Sequence, residues 1–117
     1  MPELEIIMKK YPNAILTLNS AFYYYALTDT IPDHYYVATP KSNRKIEDVR
    51  VKQIYENSNA FEMGKTTIEY DGVDITIYNE ERLLIELIRN KRKFSFDLYK
   101  EIISNYRKLI HKMDMTQ

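Results

Sequence analysis

The sequence has no cysteine and no tryptophan, and only two glycines and two histidines among 117 residues. Without cysteine there is no disulfide framework, no thiolate zinc site and no cysteine nucleophile, which fits a reducing cytoplasm. Gly64 and Gly72 are too few to build a phosphate loop or a dinucleotide fingerprint. His34 and His111 stand far apart, and neither has a His-x-x-x-His or Glu-x-x-His partner, so no metal and no cofactor is expected. Net charge is also missing. Seventeen basic residues balance seventeen acidic ones, which excludes a histone-like polybasic protein and an acidic disordered tail. No apolar run approaches the ~20 residues that span a bilayer. Met1-Pro2-Glu3-Leu4-Glu5 lacks the basic start and apolar stretch of a secretory signal, so no membrane association is expected.

What is present is a core. Hydrophobic residues make up 44% and aromatics 13%, enough for one soluble, intracellular globular domain spanning residues 1–117. Charge is balanced overall but not locally. Residues 1–40 carry −2, residues 41–52 carry +3, residues 53–88 carry −6 and residues 89–117 carry +5. A basic face and an acidic face follow. The basic face suits phosphate or an acidic partner, or is simply a solvated surface.

Residues 2–10 read as a helix, with Pro2 in the first turn, Glu3 and Glu5 at the positive end and Lys9 and Lys10 at the negative end. Leu4, Ile7 and Met8 form its apolar stripe. Ala14 to Leu18 reads as a short extended segment, and Asn19 or Ser20 as the N-cap of an aromatic helix. Three adjacent tyrosines, Tyr23 to Tyr25, turn by ~100° each on a helix and cannot all face one core. With Phe22, Tyr25 and Ala26 on one stripe, Tyr23 and Tyr24 point elsewhere, as wet-tipped packing residues or as an aromatic contact platform. His34 to Thr39 and Val49 to Tyr55 read as strands, the second with Val49 and Val51 inward and Arg50 and Lys52 outward. Asn57-Ser58-Asn59 reads as a turn, and Ala60 to Met63 as a short strand or link.

Asp71-Gly72 between the alternating runs Thr66 to Tyr70 and Val73 to Tyr78 predicts a hairpin. Asn79 caps a helix that opens on Glu80-Glu81, carries Leu83, Leu84, Leu87 and Ile88, and ends in the basic run 89–93. Ser95 caps a last helix over 96–110, whose apolar face is Leu98, Ile102, Ile103, Tyr106, Leu109 and Ile110, with a frayed tail from His111. The order α, (β), α, β, β, β-hairpin, α, α predicts an α+β fold, a mostly antiparallel sheet with helices covering one face.

Catalytic chemistry is hard to build from these residues. No serine sits in a nucleophile elbow. The one carboxylate cluster, Asp71, Asp74, Glu80, Glu81 and Glu86, lacks the Glu-x-Lys that a metal-dependent nuclease would need at strand spacing, and reads as turn, strand-face and helix-start residues. No catalytic residue is assigned. The residues left for function are exposed ones. Arg44, Lys45, Arg50 and Lys52 form one basic group, Arg89, Lys91, Arg92 and Lys93 another, and Tyr23 and Tyr24 an aromatic contact. Arg82, beside Glu81 and Glu86, reads either as a buried ion pair or as a functional residue.

The run Leu18-Asn19-Ser20-Ala21-Phe22-Tyr23-Tyr24-Tyr25-Ala26-Leu27-Thr28-Asp29, followed by Ile31-Pro32, resembles the opening signature of the AbiEi antitoxin C-terminal domain. There a Ser-Ala pair opens a short helix, aromatics follow, and Gly-Leu-Thr-Asp leads to a proline and a strand. Arg50-Val51-Lys52, Tyr70-Asp71-Gly72-Val73, Asn79-Glu80-Glu81-Arg82, Leu87-Ile88-Arg89 and Asn105-Tyr106-Arg107-Lys108 follow in the same order. The resemblance covers roughly residues 11–110 and departs at Ala26, usually glycine, and at Glu86, often aspartate. It implies a bacterial type IV antitoxin linked to phage abortive infection. Such an antitoxin opposes a nucleotidyltransferase-like toxin without a stable complex. Family members also carry an N-terminal winged helix that represses their operon, and a helix of nine residues ahead of the signature leaves no room for one here. The other reading is a nucleic-acid or protein interaction module without antitoxin activity.

Overall fold

The computed structural model describes residues 3–115. These residues form an α+β fold, with a five-stranded mixed sheet and five α-helices. Helix α1 covers Glu3–Lys10, strand β1 Ile15–Leu16, helix α2 Leu18–Tyr24 and strand β2 Tyr35–Pro40. Strand β3 covers Val51–Glu56, helix α3 Ser58–Phe61, strand β4 Lys65–Tyr70 and strand β5 Val73–Tyr78. Helix α4, Glu80–Arg89, passes through a 3₁₀ turn at Lys91–Lys93 into helix α5, Phe96–Met115. Pro2 lies outside the described residues.

The strand order is β3-β2-β1-β5-β4. β1 runs antiparallel to β2, and β4 antiparallel to β5, while β2–β3 and β1–β5 are parallel. The β4–β5 hairpin turns at Asp71 (φ +52°) and Gly72 (φ +78°), a pair of residue types that tolerates two successive left-handed positions. β1 is only two residues long, yet it sits mid-sheet with Ile15 and Leu16 both fully buried. In β2, Val37 and Ala38 are likewise fully buried. Successive strand residues point to opposite faces, so the sheet centre is covered on both sides rather than by helices on one.

Several local expectations are corrected. Neither Asn19 nor Ser20 caps α2. Thr17 occupies that position, without a side-chain cap bond. Ser20 is buried in the first turns of α2. Its hydroxyl donates to the His34 carbonyl (3.0 Å) and accepts from the Tyr36 amide (2.9 Å), tying α2 to the start of β2. Ala21 and Phe22 are fully buried beside it, and Phe22 meets Phe94 and Tyr106 edge to face. α2 stops at Tyr24, so Tyr25 and Ala26 do not continue the Phe22 stripe. The Ala26 amide donates to the Tyr23 carbonyl and the Leu27 amide to the Phe22 carbonyl. That paired pattern is a Schellman end, and Ala26 takes its left-handed position at φ +61°.

Residues 57–61 are not a turn and strand. The Asn57 side chain accepts from the Asn59 amide and starts the single helical turn α3, which sends Phe61 into the core. β3 begins at Val51, because Asp48 takes up the Arg50 amide and side chain just before it. Val49 is therefore 92% exposed instead of inward. On α4, Leu83 and Leu87 are buried but Ile88 is 58% exposed, and Arg82 and Glu86 take the inward places. The last helix does not fray at His111 but continues to Met115, with Ile102 and Tyr106 buried and Ile110 half exposed.

Candidate functional site

Arg82 resolves first. It is 7% exposed and surrounded by partners from four elements. Its Nε donates to Glu86 (3.2 Å) and its Nη2 to Glu56 (3.4 Å). Its Nη1 donates to the Ala60 and Met63 carbonyls, and its guanidinium lies 4.3 Å from the centre of the Tyr78 ring. Asn79 caps the helix by accepting from the Arg82 amide at 2.8 Å. Burial, then repulsion from Glu86, pushes the Glu56 carboxyl above its ordinary range, and Arg82 works against that shift. Arg82 thus holds α3, β3, β5 and α4 together and is not presented to a partner.

The basic residues fall into separate places. Arg44 and Lys45 are exposed in the loop after β2. With Lys10, Tyr11, Thr39 and Asn43 they line an open hollow of about 260 Å³. Gln53 pins this loop, donating to Thr39 Oγ1 and the Arg44 carbonyl and accepting from the Ile46 amide. Arg50 is not a free cation. It grips Asp48 through Nε (3.0 Å) and Nη2 (2.7 Å) and lies 3.8 Å from Glu3. This fork holds the Asp48 carboxyl down to about 2. Lys52 is exposed on the outer strand β3, so it and Arg50 are in different electrostatic states.

Tyr23 and Tyr24 sit at the end of α2 in an edge-to-face chain. Tyr23 meets Tyr24 at 5.5 Å, and Tyr24 meets Tyr70 at 4.7 Å. They share a hollow of about 210 Å³ with His34, Tyr35 and Arg50. Burial pushes the Tyr24 hydroxyl up to about 12. The His34 Nδ1 lies 3.2 Å from Asp33 Oδ2 but is misaligned for a hydrogen bond. Tyr25 turns the other way and donates to the Tyr78 carbonyl at 2.9 Å, so the three tyrosines have three different settings.

Arg89 leans on Glu86 at 3.2 Å. Lys91, Arg92 and Lys93, on the 3₁₀ turn, are exposed and have no ion-pair partner among the described residues. Lys91 places its Nζ 5.3 Å from the centre of the Tyr99 ring, at the mouth of an open groove of about 320 Å³ along α5. Phe96, Lys100, Ile103, Ser104 and Arg107 line the rest of that groove; none of them takes a site role from the sequence alone, although Arg107 lies in the Asn105–Lys108 motif. The available signal was a second stripe on α5, at three- and four-residue intervals beside the core stripe.

The carboxylates do not gather. Asp71 is at the hairpin tip, Asp74 is exposed near the start of β5, Glu80 and Glu81 open α4, and Glu86 is paired with Arg82. Among the described residues, no three His, Asp or Glu side chains are placed to hold a metal ion. No helix among them is long and apolar enough to cross a membrane. No family model matches the chain. No curated protein matches it either.

Proposed function

We propose that this chain is a non-enzymatic antitoxin domain of the AbiEi type, acting in the bacterial cytoplasm. It would antagonise a nucleotidyltransferase-like toxin during phage abortive infection, without a stable complex with that toxin. The observation that carries this reading is the corner around α2. The resemblance rests on a Ser-Ala pair, an aromatic run and a position usually filled by glycine. Here Ser20 is the buried tie between α2 and the start of β2, Ala21 is fully buried beside it, and Ala26 occupies a left-handed helix end that favours glycine. The motif residues are therefore ones that this backbone requires, which supports a shared fold as the origin of the likeness.

The unpaired cations of the 3₁₀ turn support a second reading, an interaction module for nucleic acid without antitoxin activity. Co-induction of residues 1–117 with the nucleotidyltransferase-like toxin of the same genome separates the two. Restored growth, with the chain not retained on tagged toxin, is the expected result. Continued growth arrest beside a folded, expressed chain would contradict the antitoxin reading.

A further inference from the structure

Helix α5 has two working faces. Leu98, Ile102, Tyr106 and Leu109 pack toward the core. Phe96, Lys100 and Arg107 form a second, exposed stripe along the open groove, and Tyr99 and Ile103, half-buried against the core, line it as well. From Phe96 to Arg107 that stripe runs about 16 Å, at ~1.5 Å per residue. Lys91 approaches Tyr99 from the 3₁₀ turn, and Lys100 lies 6.0 Å from the centre of the Phe96 ring. Each ring is thus flanked by an ammonium group.

Exposure of one phenylalanine means little by itself. The electrostatic setting adds meaning to it. Lys91, Arg92, Lys93, Lys100, Arg107 and Lys108 have no ion-pair partner among the described residues. Only two acids share this stretch. Asp97 is exposed, and Glu101 is turned inward, accepting from the Thr28 hydroxyl (2.6 Å) and the Asp29 amide (3.3 Å). The groove therefore offers the exposed Phe96 ring and the half-buried Tyr99 ring in a net positive setting. That pairing suits a ligand that alternates flat aromatic groups with anionic links. A duplex hides its base faces by stacking, whereas a single strand presents them.

We propose that the groove along the outer face of α5 binds single-stranded nucleic acid, with bases stacked on Phe96 and Tyr99 and phosphates paired with Lys91, Lys100 and Arg107. This rests on the reading of the chain as a binding domain rather than an enzyme, and not on the identity of any toxin.

The test is fluorescence anisotropy of the whole chain with a labelled oligouridylate, a duplex of equal length, a polyglutamate peptide and anionic phosphatidylserine vesicles. The oligouridylate is expected to bind most tightly at low salt. Phe96→Ala should weaken it by about 5- to 150-fold, the range for loss of one stacked base. Phe96 is 78% exposed, so this variant should keep the wild-type melting temperature, measured alongside. Lys100→Gln should reduce the slope of log K against log salt by about 0.7. No oligouridylate binding, equal affinity for the duplex with Phe96→Ala unchanged, or preference for peptide or vesicles would each overturn the proposal. Growth rescue is read separately. Rescue without oligonucleotide binding refutes the groove alone, and binding without rescue refutes the antitoxin reading alone.

Discussion

Gly64 faces Arg82 so closely that a Cβ on Gly64 would lie 2.5 Å from the Arg82 Cβ. The glycine also has φ +81°, a backbone state that L side chains rarely adopt. Its carbonyl accepts from the Asn79 amide, so the close approach fixes where β4 starts and where α4 begins. Gly72 has nearly the same φ, +78°, but nothing within 4 Å of its would-be Cβ. The pair separates two costs. Gly72→Ala should lose only the left-handed penalty of about 1–2 kcal/mol. Gly64→Ala should lose that and a further ~1–3 kcal/mol of overpacking against Arg82. Urea midpoints of the two variants check this, and equal losses would show that Arg82 has room to move.

Ala26 is the reverse case. It holds the left-handed position of a Schellman end with a side chain that resists it. It is exposed, so a change there disturbs no packing. Ala26→Gly should raise stability by about 0.5–1 kcal/mol, the strain relieved less the entropy glycine loses on folding. A lowered melting temperature would mean that the corner is not strained.

Ser20 satisfies two part-buried backbone groups with one hydroxyl. Ser20→Ala would leave the His34 carbonyl and the Tyr36 amide unpaired, at about 2–3 kcal/mol. Amide exchange at Tyr36 should speed up in the variant. Unchanged exchange and an unchanged midpoint would argue that the two bonds do not hold α2 to β2.

The Asp48 carboxyl titrates at about 2 when folded against an ordinary 3.8, because Arg50 grips it. A lowered folded value means that the unfolded chain binds the proton more readily. The stability from this group is present above 3.8 and lost as pH falls toward about 2. Asp33, held low by Tyr36 and His34, adds to the same trend. Asp48→Asn should therefore be less stable than wild type near neutrality, with the gap closing as pH falls through that window. A constant gap would place the role of Asp48 elsewhere than in its charge.

Local chemistry was legible where the cause was local. Asn79 with Glu80 and Glu81 announces the start of α4, and Ser95 announces α5, because a cap and its helix are a few residues apart. The α+β class followed from the alternation of periods. What stayed hidden depends on partners far along the chain. Ser20 looks like a cap, but its partners are His34 and Tyr36. The Arg82–Glu86 pair is visible at i, i+4, but Glu56 and the Ala60 and Met63 carbonyls are not. The parallel pairing of β2 with β3 is equally nonlocal, since chain order alone suggests a hairpin. In the candidate site, basic residues are easy to find, but their pairing is not. Arg50 looks as free as Lys91, and only the fold shows Asp48 and Glu3 beside it.

These settings make one division of labour. The motif residues Ser20, Ala21, Asn79 and Arg82 hold the fold, and the proposed reading assigns function to the exposed cations and rings. The measurement that tests this most directly is growth rescue against the toxin by a chain carrying Lys91→Glu, Lys100→Glu and Arg107→Glu, with its melting temperature measured in parallel. All three side chains are exposed. The account predicts lost rescue at an unchanged melting temperature. Full rescue by that stable variant would contradict it.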